Sequence, residues 1–152
     1  MRRLVLLCCA AVLVGCAKKE AEPAADTTAA APPAPAMLTA ADVAGKWSVV
    51  VMPETSDSVV TQYEMTATTT DTGWVVMLPN RPAMTPRVMF SGDSVVVDMG
   101  PFESVLRKGV QVTTHSVSRL QGGLLVGMTT AHYATKSGDS VAMLRTRGTR
   151  VP

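Results

Sequence analysis

The sequence predicts an all-β domain, a small antiparallel meander of about eight strands that closes into a barrel or, alternatively, folds as a sandwich. Three observations predict it. From Met37 onward, apolar and β-branched runs of strand length recur at short intervals. Turn residues stand between them, among them Gly92-Asp93, Gly122-Gly123 and Gly138-Asp139. Ahead of Met37 the composition is different, with one apolar run near the start and then a stretch of Ala, Pro, Thr and charge. Short runs bounded by Gly and Asp read as strands joined by tight hairpins, because those residues tolerate the left-handed backbone such turns require. Many of them in series give an all-β meander.

The N-terminal segment comes first in the chain. Arg2 and Arg3 precede an unbroken apolar run from Leu4 to Val14. A helix crossing a bilayer needs roughly 20 residues, so this run is too short to span. A cationic start followed by a short apolar stretch has the form of a secretory signal peptide, here residues 1–15. The segment ends in Leu13-Val14-Gly15-Cys16, which resembles the bacterial lipobox. The resemblance implies diacylglycerol transfer to the Cys16 thiol, cleavage after Gly15 and acylation of the new amino terminus. Two or three acyl chains on one residue make a stable membrane anchor, whereas one is marginal. Ala17, rather than Asp, after the anchor resembles the pattern exported to an outer membrane, facing the periplasm, in bacteria that have one. The implied location is the cell envelope.

Cysteine and charge counts fit this reading. The chain has three cysteines, Cys8, Cys9 and Cys16, and the first two leave with residues 1–15. A lipidated Cys16 then leaves no disulfide within the mature chain, so its stability rests on packing. Removal of Arg2 and Arg3 leaves 12 basic residues against 12 acidic ones. That balance provides no field to steer nucleic acid, although Lys18 and Lys19 are placed to touch anionic head groups weakly. Residues 16–38 form the lipidated cysteine and its linker. Ala17 to Ala36 lacks large apolar side chains and cannot offset ordering entropy, so a disordered tether is expected.

The domain is assigned to 39–152. Leu38 to Ala44 reads as one helical turn, with Thr39 as N-cap and Asp42 three residues on. Strands are expected near 46–52, 58–68, 74–78, 87–91, 94–99, 110–120, 124–134 and 140–147. Val59, Tyr63 and Met65 share one face, opposite Gln62 and Glu64; Val95, Val97 and Met99 oppose Val96 and Asp98. Val112 and Val117 have opposite parity, which calls for a bulge or a shorter strand. Ser91-Gly92-Asp93-Ser94-Val95 recurs as Ser137-Gly138-Asp139-Ser140-Val141, read as reuse of a hairpin turn. Gly45-Lys46-Trp47, after the helical turn, resembles the Gly-x-Trp start of lipocalin-like barrels. The resemblance implies that Trp47 plugs one barrel end beneath an arginine from the last strand region. Arg145, Arg147 and Arg150 are available, and Gly45, Trp47 and Arg147 are taken as the barrel-end set.

Candidate chemistry is sparse. His115 and His132 fall on adjacent expected strands and would begin a zinc or copper site, but a third ligand is needed; Glu103 or Asp98 is the carboxylate considered for it, with no spacing that brings either one to the histidines. The plainer reading is two strand histidines, with no metal and no cofactor. Met52, Met65, Met77, Met84, Met89, Met99, Met128 and Met143 are spread through the domain and read as a soft core, adaptable to an apolar guest. Ser104 is followed three residues on by Arg107 rather than Lys, and neither a Gly-x-Ser-x-Gly elbow nor a His-Glu-x-x-His pair occurs. No catalytic residue is therefore assigned and no enzyme is expected. Phe102, Val105 and Leu106 read as a turn capping a barrel end. The loops Gly100 to Gly109 and Pro79 to Pro86 are the candidates for recognition. The expected function is a membrane-anchored, non-enzymatic envelope lipoprotein binding an apolar small molecule or lipid inside the barrel. The alternative is an interaction or assembly protein with a solid core and partner-binding loops.

Overall fold

A computed structural model of the chain describes residues 37–136 and 138–152. The signal peptide read at 1–15, Cys16 and the tether to residue 36 lie outside the described residues. A short helix α1 (Ala40–Val43) leads into eight strands: β1 (Gly45–Pro53), β2 (Thr61–Ala67), β3 (Val75–Met77), β4 (Arg87–Ser91), β5 (Ser94–Glu103), β6 (Gln111–Gln121), β7 (Leu124–Thr135) and β8 (Gly138–Val151). All pair antiparallel in one sheet of order β3-β2-β1-β8-β7-β6-β5-β4. The domain is thus one curled sheet, a half-barrel, and not a sandwich of two.

Each strand pairs with its successor except β3 with β4, and β1 returns to β8. The seam between β3 and β4 is held by one bridge, in which Val76 and Met84 exchange backbone hydrogen bonds of 2.8 and 2.9 Å. Beside it the Trp74 and Phe90 rings meet edge-on, 6.2 Å between centroids and 66° between planes. Two sheet edges that lack a continuous ladder are therefore joined by side chains as well as backbone.

The strands form where period-two patterning permits one face to leave water. β1 buries Trp47, Val49 and Val51, while Lys46, Ser48, Val50 and Met52 alternate to the other face. Several expectations change in detail. β5 continues through Gly100 and Pro101 to Glu103, with its pairing to β6 slipping between Met99 and Phe102. The bulge lies here. β6 pairs with β7 in unbroken register from Gln111 to Gln121, so Val112 faces inward and is buried while Val117 simply faces out. Gly100 is required at the bulge: its φ is +110°, and a Cβ there would stand 2.7 Å from the Val112 carbonyl oxygen. β2 begins at Thr61, which leaves Val59 exposed ahead of the strand instead of sharing a face with Tyr63. β8 runs on to Val151.

The core divides in two. One cluster holds Trp47, Val49, Met65, Trp74, Val76, Val88, Val95 and Leu125; the other holds Val51, Val112, Ala131, Tyr133 and Leu144. Between them on β6, β7 and β8 sit the buried hydroxyl residues Ser116, Thr129 and Thr146. Ser116 and Thr129 hydrogen-bond each other at 2.7 Å, which offsets the cost of burying both hydroxyls. The methionine core expected from the sequence does not form. Met65 is buried and Met99 packs against the larger cluster, whereas Met77, Met89 and Met143 are exposed, because their parity turns them to the outer face.

The end carrying Trp47 is sealed. The Trp47 indole N–H donates to the Val43 carbonyl at 2.8 Å, and the Arg150 guanidinium carbon lies 4.4 Å from the centroid of the Trp47 ring. Arg150 also donates to the Asp42 carbonyl at 2.7 Å and to the Ala44 carbonyl, two acceptors at the C-terminus of α1 that lack helical partners. The arginine of the barrel-end set is therefore Arg150, not Arg147. Arg147 lies opposite Val50 and Val126 with outward parity and is exposed. Gly45 leaves room for this contact, since a Cβ on it would stand 2.8 Å from an Arg150 nitrogen. The N-terminal turn forms as expected. The Asp42 carboxylate accepts from the Thr39 hydroxyl at 2.6 Å and the Thr39 N–H at 2.8 Å, and these bonds hold its carboxyl below the usual carboxylate range. Leu38, assigned to the linker, donates its N–H to Gly92 and packs on the core, so the fold begins at the sealed end.

Candidate functional site

The opposite end is where the β1–β2, β3–β4, β5–β6 and β7–β8 connections gather. An apolar cavity of about 60 Å3 lies beneath them. Val51, Tyr63, Leu78, Phe102, Val105, Leu106, Val112 and Tyr133 line it, with Thr114, Ser116, Thr129 and Thr146 on the side toward the sealed end. Apolar surroundings push the Tyr63 hydroxyl up to about 12, since they disfavour a phenolate. Among the described residues, the Thr114 hydroxyl oxygen is the buried side-chain polar atom without a hydrogen-bond partner.

Both loops chosen from the sequence come to this mouth and are tied together. Arg81, after buried Leu78, stands 3.5 Å from the Glu103 carboxylate. Glu103 also accepts from the Gly109 N–H at 3.0 Å; that bond first, and then the Arg81 charge, hold its carboxyl below the usual range. Ser104 is buried, and its hydroxyl oxygen accepts from the Leu106 and Arg107 N–H groups at 3.0 Å each. That is a turn-forming role, with the hydroxyl oriented to the backbone and not to a base. The 104–110 segment is an irregular turn lying over the cavity. Arg107 fastens it: the guanidinium carbon is 4.1 Å from the Tyr133 ring centroid, and one nitrogen donates to Ser140 at 2.6 Å.

A second depression, open and of about 460 Å3, lies on the outer face. Arg87, Asp98, His115 and His132 line it with Thr85 and Thr113. These residues come from β4, β5, β6 and β7 and the turn ahead of β4. His115 Nδ1 is 2.6 Å from Asp98 Oδ1. The histidines thus share one face, His115 opposite Thr130 and His132 opposite Thr113. Glu103 is elsewhere, engaged by Gly109 and Arg81. Among the described residues no set of three or more His, Cys, Asp or Glu side chains is placed to hold a metal. Met99 and Thr114, beside the Gly100 bulge, line both the cavity and the outer depression, so a thin wall separates them.

Sequence reasoning located the two loops but not the residues that bind them. Arg81 and Arg107 gave no signal, because a single arginine in a loop has no periodicity to betray its partner. Asp98 did carry one: an acidic residue in an otherwise apolar strand, on the strand next to that of His115. Among the described residues no helix is long and apolar enough to cross a membrane. No family model, curated protein or solved structure matches the chain.

Proposed function

We propose that this chain is a lipid-anchored envelope protein whose half-barrel serves as an interaction or assembly module, engaging a protein partner at the end opposite Trp47. The observation that carries the reading is the size of the interior. About 60 Å3 is several-fold below the roughly 300–1,000 Å3 of small-molecule pockets. The rim of that end exposes Val59 (56%), Val60 (39%) and Leu106 (38%), apolar side chains that a partner would cover. A shallow apolar slot under such a rim suits one side chain of a partner as an anchor, the usual core of a protein interface. The Leu13-Val14-Gly15-Cys16 box supports the anchor, and among the described residues Leu38 is held at the sealed end, opposite the mouth.

The test is site-specific photo-crosslinking in the producing bacterium, with a photoreactive residue at Leu106 and, separately, at Lys46 on the sealed side. Protein adducts from position 106 and not from 46 are the expected result. The absence of protein adducts at 106 would overturn the reading. Labelling with a fatty-acid analogue, lost in Cys16→Ala, tests the anchor independently.

A second reading, uptake of a small apolar molecule, draws on the lining itself and on the unpartnered Thr114 hydroxyl. A molecule retained in native mass spectra of the purified protein, together with no adducts at 106, would favour it over the first.

A further inference from the structure

The outer depression opens on the far side of the Met99 and Thr114 wall from the cavity, and its chemistry points to a ligand of its own. Four strands bring Arg87, Asp98, His115 and His132 to one open hollow. Arg87 lies directly opposite Asp98 in the β4–β5 register, yet these two form no ion pair. The Asp98 carboxylate is turned to the His115 ring instead, at 2.6 Å. An ionised carboxylate accepts, so the His115 Nδ1 carries a proton and its Nε2 faces away from Asp98. Arg87 is left without a carboxylate partner among the described residues. Thr85 and Thr113 add hydroxyl donors to the same hollow.

We propose that this hollow binds an oxyanion, a phosphate or carboxylate group, with Arg87 as the principal anchor and His132, His115, Thr85 and Thr113 as further donors. A guanidinium presents paired N–H groups that match two oxygens of such an anion. The facing charges are Arg87 from β4, Asp98 from β5, His115 from β6 and His132 from β7. Asp98 opposes an anion, but its carboxylate is taken up by the His115 ring and is turned away from Arg87.

The experiment follows the imidazole NMR signals of the full chain as inorganic phosphate or acetate is added, with sodium chloride of equal ionic strength as control. A saturable shift of both His115 and His132 signals is expected with at least one oxyanion and not with chloride. Arg87→Gln weakens binding at least tenfold, Arg87→Lys restores part of it, and Asp98→Asn leaves it equal or tighter. Vesicles of phosphatidylglycerol against phosphatidylcholine form a second arm. Arg87-dependent shifts with free phosphate or acetate identify a soluble oxyanion as sufficient, and shifts with anionic vesicles alone identify a lipid head group. The proposal fails if neither arm shows an Arg87-dependent shift, or if Asp98→Asn abolishes binding, as expected of a cation site.

Discussion

The Arg107 guanidinium lies over the face of Tyr133, its central carbon 4.1 Å from the ring centroid. One residue comes from the turn that covers the cavity and the other from the cavity wall, so this contact sets how readily the mouth opens. A cation over an aromatic face contributes about 0.5–1 kcal/mol at exposed positions, and the 2.6 Å bond to Ser140 adds to it. Arg107→Ala is expected to lower global stability by roughly 1 kcal/mol while raising hydrogen exchange at Ser104 and Val110, whose N–H groups donate to the Val110 and Arg107 carbonyls and close the turn. Exchange followed by mass spectrometry checks it. Unchanged protection across 104–110 would mean that the loop is held without Arg107.

Acid should loosen the same mouth. Glu103 holds its proton-free form below the usual carboxylate range through the Gly109 N–H and the Arg81 charge. A lowered pKa in the folded state gives a contribution that is present above the unfolded value and is lost as pH falls through the folded one. Glu103→Gln mimics that loss at neutral pH by removing the charge. The expected outcome is faster exchange at Gly109 with little change in global stability, because the carboxylate is at the surface and screened. A loss of stability comparable to a core truncation would contradict this.

How legible the fold was depended on which rule each segment obeyed. Gly92-Asp93 and Gly122-Gly123 marked hairpins because glycine there has positive φ, and the runs between them became strands. Gly100-Pro101 uses the same residue types inside a strand, where they make a bulge; composition alone does not separate the two cases. The sequence ends the last strand at 147, because Thr146 to Arg150 offers no apolar face, yet β8 continues to Val151. Gly148 and Arg150 are its inward positions, serving Trp47 by leaving space and by stacking. Arg147 stands three residues before Arg150, an odd step, and so lies on the opposite face of the strand. The mouth was half legible. Its loops announced themselves by Pro and Gly, but the hydroxyl belt of Ser116 and Thr129 reads in sequence as ordinary solvent-facing positions.

The parity argument has a direct test. Arg150→Ala removes the lid of Trp47 and two bonds to the α1 carbonyls, and is expected to cost about 2 kcal/mol. Arg147→Ala, on the exposed face, should stay within about 0.5 kcal/mol of the parent. Urea denaturation gives both values, and Trp47→Ala, at about 3–5 kcal/mol, sets the scale for the sealed end. Equal costs for the two arginines would sink the assignment of Arg150.

Alkaline titration probes the cavity wall. Tyr63 is pushed up to about 12 by burial, against about 10 for a phenol in water. A raised pKa in the folded state leaves stability undiminished below the unfolded value and lost as pH rises toward the folded one. Stability should therefore be insensitive to this group up to about pH 10 and decline between about pH 10 and 12, by on the order of 2–3 kcal/mol. Tyr63→Phe is expected to flatten that decline. Phenolate absorbance of the Tyr133→Phe variant, which leaves Tyr63 as the remaining tyrosine, should rise only near or above the unfolding range. A rise at about pH 10 in the folded protein would show the wall to be wet.

Thr114 decides between the two readings of the interior. Its hydroxyl oxygen is buried without a partner at the wall shared by the cavity and the outer depression. An unsatisfied buried hydroxyl costs about 1–3 kcal/mol, whereas Val has nearly the same shape and a better strand propensity. If the interior is dry, Thr114→Val should stabilise the fold by roughly 1–2 kcal/mol, read as a higher urea midpoint with an unchanged slope. A cavity of about 60 Å3 can also hold water. An ordered water or a bound molecule that satisfies Thr114 makes the same substitution neutral or destabilising, because the partner then loses its bond. A stabilised variant leaves the domain a solid scaffold that acts through its rim. A destabilised one, together with loss of a molecule seen in native mass spectra of the parent, moves the function from the rim to the interior.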